Sequence, residues 1–493
     1  ALYGAEGIVL GTRSWGEADK GVTFFTRERG LLRAAAFGCR RPRSPLAGAM
    51  QMFVHADLQL AEGARLETVK SASVRAHHAK LSLDLAALAY ATFVSEVIRA
   101  LLPEGVAVVA DHRDLLGFGI DAVVLTTPDD THEELACFFL EAGIPVYLEK
   151  PLAITIESAD RILATARRTG TRLYVGHNMR HMEVVRLLKS IIDSGRIGEL
   201  KAIWCRHFVG NGGDYYFRDW HAERRHVTGL LLQKAAHDID VMSWLAHSAP
   251  ARVVGMGGLM VYGEAGRREP GTSAGTVMQD WFSLDHWPAD EVSDLNPVID
   301  VEDHSMLMMT MRNGVMTSYQ QCHFTPDYWR SYTVIGTRGR AENLGDGAGD
   351  VVKVWTERTE HYAERATQEY VIAEEGTGHD SADQLAIDEF LRFVRDGGAT
   401  DVSPVSARDA VAAGVLPPGP CALAPCPSTC PSSTRSWRTT STAGSTILTH
   451  RPNLHKRRGS ASSLKKMSVW TIGTTYSASR AVLVSRRGPD PQA

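Results

Sequence analysis

Between residues 121 and 180 one unit repeats, and it limits the fold more than any other feature of the chain. A short, continuously apolar run is followed by a helical stretch, and the pair recurs. DAVVLTT leads into HEELACFFLEAG, IPVYLEK leads into ESADRILATARRTG, and RLYVGHN closes the series. Strands that do not alternate apolar and polar residues are buried on both faces, and helical crossovers are what parallel pairing needs. The pattern predicts a parallel sheet covered by helices on both sides. In such sheets ligands sit at the carboxyl ends of the strands. Those ends carry chemically useful residues here. They are Thr127-Pro128, with Thr131 and His132 opening the next helix, then Glu149-Lys150-Pro151, then Gly176-His177-Asn178-Met179-Arg180.

The rest of the chain changes character around this core. With 493 residues there is room for two to four domains of roughly 100–200 residues each. Residues 1 to 78 alternate apolar and polar positions between glycine and proline breaks, which suggests a small β-barrel. Residues 79 to 105 switch to helical periodicity and form a junction. Residues 106 to 180 hold the repeating unit described above. From 181 to 414 the strands lengthen and pair locally. Asn313-Gly314 lies between two strand-like runs, the pattern of a tight hairpin. Ser381 and Gln384 suggest a capping box for a helix carrying Ile387, Phe390, Leu391 and Val394, with Gly397 as its stop. Residues 415 to 493 are rich in Pro, Ser and Thr, with eleven Lys/Arg and one acidic residue. A tail of that composition is expected to remain disordered. The fold class is thus multidomain α/β: a barrel, a partial parallel sheet, an α+β domain with a large mixed sheet, and a basic tail.

Composition excludes some classes. No run of about 18 apolar residues exists, so no membrane partner is expected. Seven dispersed cysteines argue against a disulfide framework and for a reducing, cytoplasmic setting. Cys421, Cys426 and Cys430 lack zinc spacing, and no metal site is expected.

Further along, His237 and Asp240 lie three apart on the helical stretch QKAAHDIDVMSWL and share a face. Read singly, Lys150 is compatible with a surface lysine, and His237 with a satisfied half-buried histidine. Four motifs in one order at the mouth of one sheet are harder to obtain by chance. Together they resemble the Gfo/Idh/MocA family of sugar and polyol oxidoreductases. The matching elements are TPDDTH, the EKP tripeptide, VGHNMR, GLLLQKAAHDID and the closing EFLRFVRDGGATDVSPVSARDAVAAG, spanning about three fifths of the chain.

The resemblance implies a cofactor, NAD or NADP, and a sugar-like hydroxylated substrate. It implies that Lys150 supplies or takes a proton beside the nicotinamide and that His237 is the partner acid/base. Asn178, Arg180, Lys234 and Asp240 would contact substrate. Thr127, Pro128, His132, Glu149 and Lys150 would line the cofactor. Homo-oligomerisation stays open. One departure is Gln233, where many family members have an Asp four residues before the histidine; Lys234 follows it and would share that role. The other is larger. The family opens with a strand, a Gly-rich turn and a helix whose N-terminus holds pyrophosphate, and nothing of that kind precedes Val106. The string GFGIDA at 117–122 runs into a strand rather than a helix, and GNGGD at 210–214 and GDGAGD at 345–350 read as loops.

The N-terminal segment resembles the OB-fold domain of the recombination mediator RecO, through AEGIVLGTRSWGEADKGVTFFTRERGLLRA and RRPRSPLAGAMQMFVHADL. That likeness implies DNA as a partner, with Arg40, Arg41 and Arg43 as contacts to the phosphate backbone. Trp15, Phe24 and Phe25 are candidate stacking platforms, with the phenylalanines favoured as core. Three readings follow: an NAD(P)-dependent oxidoreductase, a DNA-repair module, or two partial genes and a frame-shifted tail joined near residues 103–106 and 414. Without the first strand, the strand ending at Thr127 has an unpaired edge, and unpaired buried backbone groups cost about 1–3 kcal/mol each; either another segment covers it, another chain does, or the half-fold is unstable. Without the phosphate turn, NAD(H) binding is expected to be weak. Fluorescence titration with NADH checks this: no saturation at micromolar concentrations is the expected result.

Overall fold

A computed structural model describes residues 2–26, 29–63, 66–78, 108–109, 111–210, 212–270, 284, 286–373, 378–415, 422–425, 469–473 and 482–483. The expected helix at 79–102 and the three tail cysteines lie outside the described residues. The chain divides into two compact units, one of residues 1–126 with 465–493 and one of residues 127–464.

In the first unit five strands close a barrel: β1 (Leu2–Trp15), β2 (Asp19–Thr26), β3 (Gly30–Ala36), β4 (His55–Ala61) and β5 (Glu67–Ala76). Their order is β1-β2-β3-β5-β4, antiparallel except for β3 beside β5. Alternating residues fill the interior, among them Val9, Val22, Phe24, Ala34, Leu58 and Leu60. Phe24 is fully buried, and Phe25 is partly buried in a small cluster with Leu10 and Leu31. Trp15 stays 39% exposed, with its ring flat on Gly21. A Cβ at position 21 would meet that ring at 2.5 Å, so only glycine permits the arrangement.

Two further strands of this unit are β6 (Val108–Val109) and β7 (Ala122–Thr126). The glycine string at 117–122 forms no phosphate turn: a 3₁₀ turn over His112–Phe118 ends at left-handed Gly119 and leads into β7. Two short pieces of the tail are strands of this unit. Val469–Gly473 pairs in parallel with β7, from Val469 opposite Ala122 to Gly473 opposite Thr126, and Val482–Leu483 pairs with β6. One edge of β7 is therefore covered from the other end of the sequence. The physical reason is local: VWTIG is a β-prone island inside a tail whose average composition is polar.

In the second unit β8 (Val146–Leu148) and β9 (Leu173–Val175) pair in parallel. They are connected through α2 (Ile156–Thr169), and α1 (His132–Glu141) precedes β8. Thr155 caps α2 by accepting from Ser158 N–H at 3.1 Å, and left-handed Gly170 ends it. A nine-stranded mixed sheet follows. Its members are β10 (Leu200–Val209), β11 (Pro250–Gly258), β12 (His304–Met311), β13 (Met316–Cys322), β14 (Tyr328–Gly336), β15 (Gly339–Leu344), β16 (Val351–Trp355), β17 (Gln368–Val371) and β18 (Ala422–Pro425). The order is β17-β16-β15-β14-β10-β13-β12-β11-β18, and β10 with β13 is its parallel pair. Asn313-Gly314 makes the expected hairpin between β12 and β13, with Gly314 at φ 86°.

One face of the sheet is covered by α3 (Glu183–Asp193) and α5 (Leu230–Leu245), separated by the single turn α4 (Arg224–Val227). The helix α5 is almost wholly buried: Leu231, Ile239, Met242 and Leu245 join the core, and the polar Gln233, His237, Asp238 and Asp240 are buried with them. Two more helices follow, α6 (Gly378–Asp396) and α7 (Pro404–Gly414), the latter packed on α5. The proposed capping box fails: α6 begins three residues before Ser381, and Gln384 lies inside it, donating to Asp388.

An interior ion pair ties these helices to the end of β9. Arg180 Nε and Nη2 each donate to Asp240 of α5 at 2.6 Å, and Ser406 of α7 bonds both partners at 2.6 Å. Arg180 is 5% exposed and Asp240 1%. Removing one side of a buried pair strands the other charge and costs about 3–5 kcal/mol. Arg180→Met is expected to lower stability by that amount in urea unfolding, and Arg180→Met/Asp240→Leu is expected to recover most of it.

Candidate active site

The geometry starts at the loops that end the parallel strands. After β8 the chain turns through Glu149, Lys150 and a cis peptide to Pro151. Glu149 folds back, accepting from Tyr147 O–H and from Lys150 N–H, both at 3.1 Å. The room for it comes from Gly176 after β9, where a Cβ would sit 2.8 Å from the Glu149 carboxylate. Glu149 thus shapes the turn that presents Lys150.

The loop at 127–132 is locked to that turn. His132 is fully buried, with Nδ1 2.8 Å from the Pro151 carbonyl and Nε2 3.1 Å from the Thr127 carbonyl. Burial pushes its pKa down to about 4, so the ring is neutral at pH 7 and donates to one of the two, the nearer being Pro151. Both ring nitrogens face main-chain oxygens. This is a correction to the expectation that His132 lines the cofactor: it joins the two loops that would. Thr127 accepts from Thr131 O–H at 2.6 Å, and the Pro128 carbonyl takes the same hydroxyl at 2.7 Å.

Lys150 reaches across to α5, where Nζ donates to the Gln233 carbonyl at 3.1 Å. His237 lies one turn further along that helix, and its ring meets the His177 ring edge-on at 5.8 Å between centroids. These contacts bring Lys150, His177, Gln233 and His237 together from the strand mouths and the first two turns of α5. Burial lowers the pKa of Lys150, opposed by the nearby charges of Asp129 and Glu149.

Asp129 was not among the expected residues. It is 4% exposed, and among the described residues its Oδ2 has no hydrogen-bond partner. Burial raises its pKa to about 8 against the pull of Lys150. The signal available in the sequence was only an acid at a strand mouth, inside TPDDTH.

The other expected residues are placed as follows. Asn178 is buried and donates to the Asp383 carboxylate of α6. Arg180 and Asp240 are paired with each other, so neither is turned to a substrate; this corrects the expected contact. Lys234 stands over the Tyr216 ring at 4.6 Å. Behind it lies a buried network on the sheet. Burial alone would raise the carboxyl pKa of Asp238, but the Arg330 charge and bonds from His207 and Tyr332 hold it well below the usual range. Burial and Arg330 together push His207 down to about 3. Among the described residues no His/Cys/Asp/Glu group has metal-ligand geometry, and no helix is long and apolar enough to cross a membrane.

On the barrel, Arg40, Arg41 and Arg43 are exposed in the loop after β3. The concave feature is elsewhere: a groove of about 320 Å³ lined by Gly11, Arg13, Trp15, Gly21, Thr23 and Arg33, among others. The sequence already names Trp15 as a candidate, but the groove around it exists only once the barrel closes.

Comparison with known proteins agrees with both halves. Residues 1–77 match the model of the recombination protein O N-terminal domain. Residues 70–177 match the oxidoreductase-family NAD-binding Rossmann fold, and residues 185–342 match the GFO/IDH/MocA C-terminal domain. The Rossmann match starts at residue 70, upstream of the start at 106 expected from the motifs.

Among relatives, a DNA repair protein RecO of Symbiobacterium thermophilum is 43% identical over 104 residues, 21% of this chain and 41% of the relative. An oxidoreductase of Bacillus subtilis is 26% identical over 308 residues, 55% of this chain and 72% of the relative. An inositol 2-dehydrogenase of Azotobacter vinelandii is 35% identical over 154 residues, 30% of this chain and 43% of the relative. The chain thus spans less than half the length of the first and third. Its residues 1–77 resemble the RecO N-terminal domain, and its residues 70–177 and 185–342 resemble the Rossmann and C-terminal domains of the Gfo/Idh/MocA oxidoreductases.

Proposed function

We propose that the cleft between Lys150 and His237 carries out NAD(P)-dependent oxidation or reduction at a CH–OH carbon of a sugar or polyol. The observation that carries this reading is the reach of Lys150 across the cleft to the first turn of α5, one turn from His237. A nicotinamide cofactor, when bound, accepts or supplies the hydride. The protein's part is proton handling. A lysine whose pKa is lowered by burial has a larger neutral population, and so takes the hydroxyl proton as the carbonyl forms. His237 passes that proton on or returns it in the reverse direction. Thr127, Pro128 and Asp129 line the same mouth and suit the nicotinamide–ribose end. No described residue supplies the glycine turn for the pyrophosphate. The name of the inositol 2-dehydrogenase relative supports a polyol-type substrate.

Lys150→Met tests the proposal. With NAD or NADP and a panel of sugars and polyols, turnover is expected to fall by about 10²–10⁴-fold. Turnover within a few-fold of the parent would remove Lys150 from the chemistry.

A second reading has its own observation, the barrel groove. Trp15 lies exposed beside Arg13 and Arg33, the pairing of stacking platform and backbone contact that suits single-stranded DNA. Stacking on one aromatic is worth about 1–3 kcal/mol per base. In fluorescence anisotropy with an oligothymidylate, Trp15→Ala is expected to weaken binding about tenfold. Raising salt is expected to weaken the parent progressively. Salt-independent binding, or binding indifferent to Trp15, would count against this use of the groove.

A further inference from the structure

Several buried or half-buried cationic side chains in the second unit are matched by acids. Arg180 has Asp240 at 2.6 Å, Arg218 has Asp214 at 2.8 Å, Arg224 has Glu302 at 3.0 Å, and Arg330 has Asp238 at 3.3 Å. Lys234 has none. Among the described residues its ammonium meets no carboxylate within ion-pair distance and no hydrogen-bond acceptor, only the Tyr216 ring face at 4.6 Å. Its neighbour Gln233 is 5% exposed, and its Oε1 has no hydrogen-bond partner among the described residues.

The charges facing Lys234 make matters worse for it. Lys150 and Arg330 are both close enough to disfavour its protonation, and Asp238 is committed to Arg330, His207 and Tyr332. Burial, followed by these two cations, pushes the Lys234 pKa well below its ordinary value. A desolvated ammonium beside a second one is costly unless something else neutralises it. We propose that the substrate of this cleft carries a carboxylate and that Lys234 is the side chain that binds it. The inference rests on the reading of the cleft as a sugar or polyol oxidoreductase site and narrows that reading to acidic sugars.

The surroundings favour a carboxylate over a phosphate. Phosphate sites collect forked guanidinium donors and helix N-terminal amides. The nearest helix N-terminus, that of α5, is already taken: Leu231 N–H donates to Glu302 at 2.6 Å. The one guanidinium nearby, Arg330, is committed to Asp238. A single ammonium matches a singly charged anion.

Calorimetric titration of the full chain tests the proposal without requiring turnover. The probes are D-glucuronate and D-galacturonate, their neutral counterparts D-glucose and D-galactose, and D-glucose 6-phosphate. Charge-assisted hydrogen bonds are the stronger kind, so at least one uronate is expected to bind about tenfold or more tighter than its neutral sugar. Lys234→Gln is expected to erase that preference and Lys234→Arg to keep most of it. Thermal unfolding verifies that both variants fold, and Lys234→Gln is expected to melt no lower than the parent.

Equal affinity for uronate and neutral sugar, no uronate binding, or a preference that survives Lys234→Gln overturns the proposal. So does a tighter, Lys234-dependent affinity for the phosphate. Uronate binding that depends on Lys234, without hydride transfer to NAD or NADP, would uphold the anion site and defeat only the oxidoreductase reading.

Discussion

A lysine ammonium taken out of water needs something to face, and the cleft is organised around meeting that need for Lys150. The Gln233 carbonyl supplies one acceptor, and the charges of Asp129 and Glu149 offset part of the desolvation. Each of these imposes a condition on the sequence nearby. Glu149 can fold back only because position 176 has no side chain. The loop bearing Asp129 keeps its shape because His132 bridges it to Pro151. The carbonyl of Gln233 comes within reach because α5 is pinned from behind by Arg180, Asp240 and Ser406. Packing elsewhere thus fixes an electrostatic arrangement at the strand mouths, which is how a fold confers reactivity on an ordinary amine.

The sequence made the parallel strands and their polar ends plain, because continuous apolar runs and strand-end motifs are local signals. It did not say which way each polar residue turns. Arg180 and Asp240 looked like substrate contacts since both sit beside motif residues. Their pairing joins positions 60 apart, and no periodicity encodes that. Asp129 went unnoticed for a related reason. Its significance comes from burial beside Lys150, which depends on how the loops at 127–132 and 149–151 close on each other. The Ser381–Gln384 box failed because capping patterns are short and α6 continues upstream of it.

The barrel shows the same division between local and assembled information. Alternation along β1 to β5 announced a small closed sheet, and the burial of Phe24 followed from it. Arginines at 40, 41 and 43 were conspicuous because they are adjacent in sequence. The groove beside Trp15 instead draws Arg13 from β1 and Arg33 from β3, so it exists only once the strands have paired. Gly21 is informative in retrospect: a glycine inside a strand often marks a close approach, here the indole of Trp15.

The covering of β7 by Val469–Gly473 separates two tasks that one segment usually performs together. The opening strand of a dinucleotide-binding fold satisfies the backbone of its neighbour, and the turn and helix after it present free N–H groups and a positive dipole end to pyrophosphate. Strand pairing asks little of sequence beyond β-prone residues in register, and VWTIG meets that requirement from almost 350 residues away along the chain. The phosphate task asks for glycines at fixed offsets and a helix aimed at one point. Backbone satisfaction and cofactor affinity therefore need not stand or fall together. A chain can keep β7 paired through a strand from elsewhere in its sequence, preserving the strand that leads to Thr127, with the phosphate task left to other residues.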